Sequence, residues 1–125
     1  DKIAVLGSEP QIYFYSDRLP ATGYIYTYPL MENQAYSLEM QRDMIAEIEK
    51  AQPKFLLFVN SSFSWARSAQ SANDLFDWYG QYRINYNMVG LIDLNPTGKA
   101  TYVWREALAS YKAKNESQVW VFERK

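Results

Sequence analysis

The reactive chemistry open to this sequence rests on Asp, Glu, Lys, Tyr and Ser, because it contains neither cysteine nor histidine. Those two absences exclude a thiol nucleophile, a disulfide, a Cys-ligated metal, a Ser-His system and an imidazole base. Among the carboxylates, Asp74 and Asp77 lie three apart on a predicted helix and so share one face. Paired carboxylates serve acid–base or metal chemistry, but no third ligand stands nearby, and a solvated first helical turn accounts for both. Glu47 and Glu49 point to different sides of their helix, and no Asp-x-Asp occurs. Glu9, Asp17 and Asp93 remain as single candidate bases without an evident partner.

Two polar segments follow apolar runs and are the candidate ligand cleft. Gly7, Ser8 and Glu9 come after Ile3–Leu6, and Asn60, Ser61 and Ser62 come after Phe55–Val59. In open α/β sheets, ligands collect at the carboxyl ends of strands, where a helix N-terminus can face a phosphate or sugar hydroxyl. Helix capping and ordinary loop polarity explain the same residues. No GxGxxG or Walker pattern accompanies Gly7. A second candidate is aromatic: residues 24–28 read Tyr-Ile-Tyr-Thr-Tyr, and as a strand this would place Tyr24, Tyr26 and Tyr28 on one face. Such rings can stack on sugars or sit at a headgroup layer, or can fill space between layers. Asn60-Ser61-Ser62 and Asn115-Glu116-Ser117 match the N-glycosylation triplet, a pattern that also arises by chance.

The elements that must position these residues are read from periodicity. Ile3–Leu6 reads as a buried strand stopped by Gly7. Ser8 offers a cap, with Pro10 in the first turn and Gln11 in the capping-box position of a short helix to about Tyr15. Residues 24–28 read as a second strand between Gly23 and Pro29. Met40, Met44, Ile48 and Ala51 recur at spacings of 4, 4 and 3, which predicts a helix over 35–51 ended by Pro53. An apolar strand over 54–59 follows, then a polar loop over 60–64, then a helix over about 72–83. Strands over 88–94 and 100–104 flank the turn Asn95-Pro96-Thr97-Gly98, and a last strand covers 118–123. The alternation predicts a layered, Rossmann-like α/β domain spanning residues 1–125, its mixed sheet holding about 5–6 strands with a C-terminal antiparallel hairpin.

Composition narrows the partners. Of 125 residues, 48% are hydrophobic, which argues for a folded core over disorder. Thirteen basic residues face fourteen acidic ones, leaving no field to steer nucleic acid. The longest apolar run, Phe55 to Val59, is far below the ~20 residues of a membrane span, so a soluble segment is expected.

Three segments together resemble a known family: Ile3-Ala4-Val5-Leu6-Gly7-Ser8-Glu9-Pro10-Gln11-Ile12-Tyr13, then Ala21-Thr22-Gly23-Tyr24-Ile25-Tyr26-Thr27-Tyr28-Pro29-Leu30-Met31, then Pro53-Lys54-Phe55-Leu56-Leu57-Phe58-Val59. They are similar to the soluble C-terminal region of bacterial polytopic membrane glycosyltransferases, the group that resembles dolichyl-phosphate-mannose protein mannosyltransferases and lipid A aminoarabinose transferases. The likeness covers about the first half of the chain. It implies a parent with many transmembrane helices, catalytic acids in an extracytoplasmic loop of that bundle, and a polyprenyl-phosphate-linked sugar donor. No catalytic residue, metal or cofactor is carried onto this segment. The resemblance implies a non-catalytic periplasmic appendage whose partners are the transmembrane portion of the same chain and, as a further candidate, a glycan or the polyprenyl-phosphate sugar. The other reading weighed is a stand-alone carbohydrate- or small-ligand-binding domain. A hydrolase or transferase using Glu9, Asp17 or Asp93 is a third.

Overall fold

The computed structural model describes residues 1–125. Its elements in chain order are β1 (Lys2–Leu6), α1 (Gln11–Ser16), β2 (Leu19–Pro20), α2 (Tyr28–Met31), α3 (Ala35–Ala51), β3 (Phe55–Asn60), α4 (Ser62–Trp65), α5 (Asp74–Tyr82), β4 (Tyr86–Leu94), β5 (Ala100–Trp104) and β6 (Ser117–Arg124). One six-stranded mixed sheet runs in the order β2-β1-β3-β6-β4-β5. β2, β1 and β3 are parallel, whereas β6 is antiparallel to both β3 and β4, and β4 and β5 form the expected hairpin. The α/β class and the mixed sheet thus follow the sequence expectation. No helix is long and apolar enough to cross a membrane.

Period-2 alternation in the strands sorts the core into two clusters. Ala4 and Leu6 of β1, Leu56 and Phe58 of β3, and Phe122 of β6 face the helices. There they meet Leu30 and Met31 of α2, Met44 and Ile48 of α3, Trp65 of α4, and Leu75 and Tyr79 of α5. Ile3, Val5, Leu57, Val59, Val119 and Val121 form the opposite face, packed with Tyr13 from the six-residue α1. Gln41 is the one fully buried amide on the helical side. Its Nε2 donates to the carbonyls of Leu30 and Ala72, and its Oε1 accepts from Leu75 N–H, so one side chain pins α2 and the start of α5 onto α3.

Two expectations are overturned. Residues 24–27 are not a strand, and Tyr28 opens α2. Pro29 fixes the backbone for a first helical turn, and the Thr27 N–H and hydroxyl are tied to Ser8 at 2.9 and 3.0 Å. The second strand is instead Leu19–Pro20, pairing with β1 only at Lys2 and Ile3. Beyond that short pairing, Val5 N–H donates to the Tyr13 hydroxyl at 2.9 Å, so a side chain stands in for the missing strand. Tyr24, Tyr26 and Tyr28 therefore share no strand face. Tyr24 is half-buried with its hydroxyl on Asp43, Tyr26 is exposed, and the Tyr28 hydroxyl donates to the Phe63 carbonyl. The second correction is that the polar segment 60–64 is not a loop throughout: Ser62–Trp65 makes one helical turn, closed by Ala66 N–H on the Ser62 carbonyl and anchored by Trp65 Nε1 on the Val59 carbonyl.

Candidate functional site

Gly7, Ser8 and Glu9 line none of the three cavities described below. Gly7 crosses Val59 so closely that an added Cβ would stand 2.7 Å from the Val59 Cβ, and its φ of +145° is a glycine conformation. Ser8 is buried and does not cap α1, which starts from Pro10 without a side-chain cap. Its N–H donates to both the carbonyl and the hydroxyl of Ser64, and its hydroxyl bonds Thr27. Glu9 accepts from the neighbouring Gln11 amide. The space between the carboxyl ends of β1 and β3 is thus filled by α4 and Thr27. Gly7 and Ser8 act on the fold through backbone contact and hydrogen bonds.

Asn60, Ser61 and Ser62 lie at cavities on the far side. One, of about 250 Å³, is lined by all three together with Phe58, Trp65, Arg67 and Phe76. The larger one, about 590 Å³, lies where the ends of β3 and β4 meet the start of β6. Its walls are Ser61 and Phe63, then Leu94, Asn95 and Pro96, then Lys114 to Ser117. The larger falls within the ~300–1,000 Å³ of small-molecule sites, and the smaller lies below it. Phe63 is 87% exposed at the rim, while Tyr28 fixes its backbone through a 2.7 Å bond to its carbonyl. Ser117 Oγ donates to Ser61 Oγ at 3.1 Å, and both residues line the cavity.

Asp93 positions the third wall. Its type makes it a candidate base, but its carboxylate is buried in β4 and already accepts four hydrogen bonds. Tyr111 Oη donates at 2.6 Å, Lys114 N–H at 2.7 Å, Asn115 N–H at 3.2 Å and Asn115 Nδ2 at 3.0 Å. The Lys114 amide, foremost, and then the Tyr111 hydroxyl hold its pKa below the ordinary carboxylate value, while the same contact raises Tyr111. A carboxylate so occupied is a poor base and a good clamp. Its folded pKa is depressed, so its contribution is complete above the ordinary value of 3.8 and is lost as pH falls through the lower folded value. Asp93→Asn turns an amide against two donors. Exchange protection of the Lys114 and Asn115 amides should then fall on the order of tenfold, while β3 stays protected. Acidification below 3.8 should release the same two amides first. Unchanged protection in D93N would show that the clamp does not hold the loop.

The remaining carboxylates serve packing or the surface. Asp74 pairs with Arg42 at 3.3 Å, and Asp77 is exposed on the same helix. Glu47 receives Thr22 and Gly23, and Glu49 receives the Trp78 indole at 2.8 Å. Asp17 ends α1 in a left-handed conformation. No three acidic side chains are grouped so that they could hold a metal ion. In the two glycosylation triplets, Asn60 Nδ2 donates to Gln118 and Asn115 Nδ2 to Asp93.

A third concavity lies on the face opposite the main helices. It is an apolar groove of about 480 Å³ between α1 and the end of β5. Its floor is Ile3, Leu57, Ile92 and Val121, with Phe55 and Val89 beside them. Trp104 lies over Gly90, where an added Cβ would meet its ring at 2.1 Å, so this glycine makes the seat for the indole. Arg18 and Arg105 stand at the rim, each with a carboxylate 3.5 Å away, Asp1 and Glu123 respectively. The rim is therefore polar and close to charge balance. Val89 bulges out of the β4–β6 pairing there, and Tyr102, paired with Ile92, is 63% exposed on the same side.

Sequence reasoning placed Asn95 in a turn but did not single out Phe63, Lys114, Trp104 or the two arginines. An aromatic inside the polar run Asn60–Ser64 was the available signal for Phe63. Nothing local marks the others, because they meet only through the β6 insertion. No protein-family model, curated protein or solved structure matches this chain.

Proposed function

We propose that this chain is a non-catalytic accessory domain of an integral-membrane glycosyltransferase that uses a polyprenyl-phosphate-linked sugar. In this reading it stands on the extracytoplasmic face, docks against the transmembrane portion of its own chain, and steadies that portion or presents the acceptor to it. The apolar groove beside Trp104 carries the proposal. A sheet face lined by Leu57, Ile92 and Val121, with exposed Tyr102 next to it, suits burial against a partner surface. The likeness of residues 3–13, 21–31 and 53–59 to the soluble region of such enzymes supports the same reading.

The gene should encode, beside these 125 residues, roughly eight or more apolar stretches of ~20 residues, and finding none overturns the reading. In the full-length protein, Tyr102→Asp at an exposed side chain and Val89→Asp at the partly buried margin of the opposite-face core each place a charge on the proposed docking face. Glycosyl transfer should fall on the order of tenfold in either, a docking loss of ~1.4 kcal/mol, with far-UV circular dichroism unchanged. Undiminished transfer in both variants would exclude a docking role for this face. A stand-alone carbohydrate- or small-ligand-binding domain is the second reading, favoured by the polar cavity beneath Phe63.

A further inference from the structure

We infer that the polar cavity between the β3, β4 and β6 ends is a binding site for a neutral pyranoside, with Phe63 as its stacking platform. It deepens the accessory reading by giving the presented acceptor a place and a chemical class, and the same site would serve a stand-alone binding domain. The walls leave hydrogen-bonding capacity unused. Asn95 Oδ1 accepts from the N–H and hydroxyl of Thr97, so its Nδ2 donors have no protein partner. Asn115 uses Nδ2 on Asp93, so its Oδ1 acceptor is unused. Lys114 and Glu116 line the same cavity and neither forms an ion pair. Two donors and two acceptors therefore lie along the walls of one cavity that an exposed ring also lines, a set of groups with which amides and charges bracket sugar hydroxyls while an aromatic face meets the C–H side of the ring.

The charges decide between ligand classes. The Lys114 ammonium stands against the Glu116 carboxylate and the Asp93 carboxylate behind the wall, so the site offers a phosphate or uronate no net attraction, and a neutral ring fits better. The walls are also set before binding. Asp93 fixes Lys114 and Asn115 through their backbone, the Asn95 side chain caps its own turn, and Tyr28 holds the Phe63 carbonyl. Fixed walls lower the ordering cost that weakens binding to mobile loops.

The test is amide NMR of the chain titrated separately with methyl β-D-glucopyranoside, N-acetylglucosamine and glucose 6-phosphate. One or both neutral sugars should shift Ser61, Phe63, Asn95 and Lys114 to Ser117, with Kd on the order of 1 mM. Phe63→Ala should weaken that binding at least about tenfold; the ring is largely in solvent, so the remaining spectrum should persist. Glu116→Gln should weaken it several-fold with the same spectrum. Flat shifts for both neutral sugars at about 20 mM overturn the assignment, as do shifts confined to the Trp104 groove, binding of the phosphorylated sugar alone, or affinity unchanged in F63A. The outcome is separable from the docking proposal. Val89→Asp and Tyr102→Asp read the groove in the membrane-bound protein, and the sugar titration reads a different end of the sheet.

Discussion

Gly7→Ala removes about 2–6 kcal/mol of stability, the sum of forcing a side chain into a glycine-only backbone region and of driving a methyl into packed atoms. Against a total of ~5–15 kcal/mol, that is a large fraction of the margin. The methyl would stand 2.7 Å from both Val59 Cβ and Cγ2 and 2.8 Å from Ser64 Oγ. None of these can withdraw cheaply. Val59 is buried near the carboxyl end of β3, and the Ser64 hydroxyl accepts the Ser8 N–H at 2.7 Å. Urea denaturation of G7A measures the loss, and Gly80→Ala is the control of opposite sign. Gly80 lies in α5 with nothing within 4 Å of an added methyl, so alanine there gains about 0.5–1 kcal/mol from helix propensity. A G7A midpoint within error of wild type would mean that β1 and β3 do not approach as described.

Phe58→Ala is expected to destabilise by about 3–5 kcal/mol. Phe58 lies at the hub of the helical-side core. Its ring stacks on Tyr79 at 4.3 Å and on Trp120 at 5.6 Å, and it meets Trp65 at 5.7 Å and Phe76 at 6.4 Å. These partners come from α4, α5 and β6, so truncation opens a cavity that several elements border and no single side-chain rotation closes. Phe58→Leu keeps most of the volume and should cost clearly less. Equal losses in the two variants would show that aromatic geometry, rather than the void, dominates at this position.

The sequence made some of this legible and hid the rest for physical reasons. The recurrence of Met40, Met44, Ile48 and Ala51 reports a single helix packed on one face, and α3 spans the range that pattern predicts. The runs around Ile3–Leu6 and Phe55–Val59 are buried on both sides and read directly as strands. Residues 24–28 carry high strand propensity, but Pro29 and the Ser8–Thr27 bonds impose another conformation. Only two residues, Leu19 and Pro20, pair in their stead, too short a run to show periodicity. At the candidate sites, turn chemistry disclosed Asn95 but not its neighbours across the cavity. Phe63, Asn95 and Asn115 are brought together by strand order, which composition and spacing do not encode. Ser8 is the converse case: a residue with capping chemistry whose hydroxyl a distant threonine takes up.

The placement of β6 between β3 and β4 has a consequence for how the molecule is made. Until Ser117–Arg124 leaves the ribosome, the β1–β3 half and the β4–β5 hairpin have no common partner, and each presents an unpaired edge. Nascent chains stalled before residue 117 should therefore lean on chaperones, and a lesion within Ser117–Arg124 should reach the middle of the sheet before its margin.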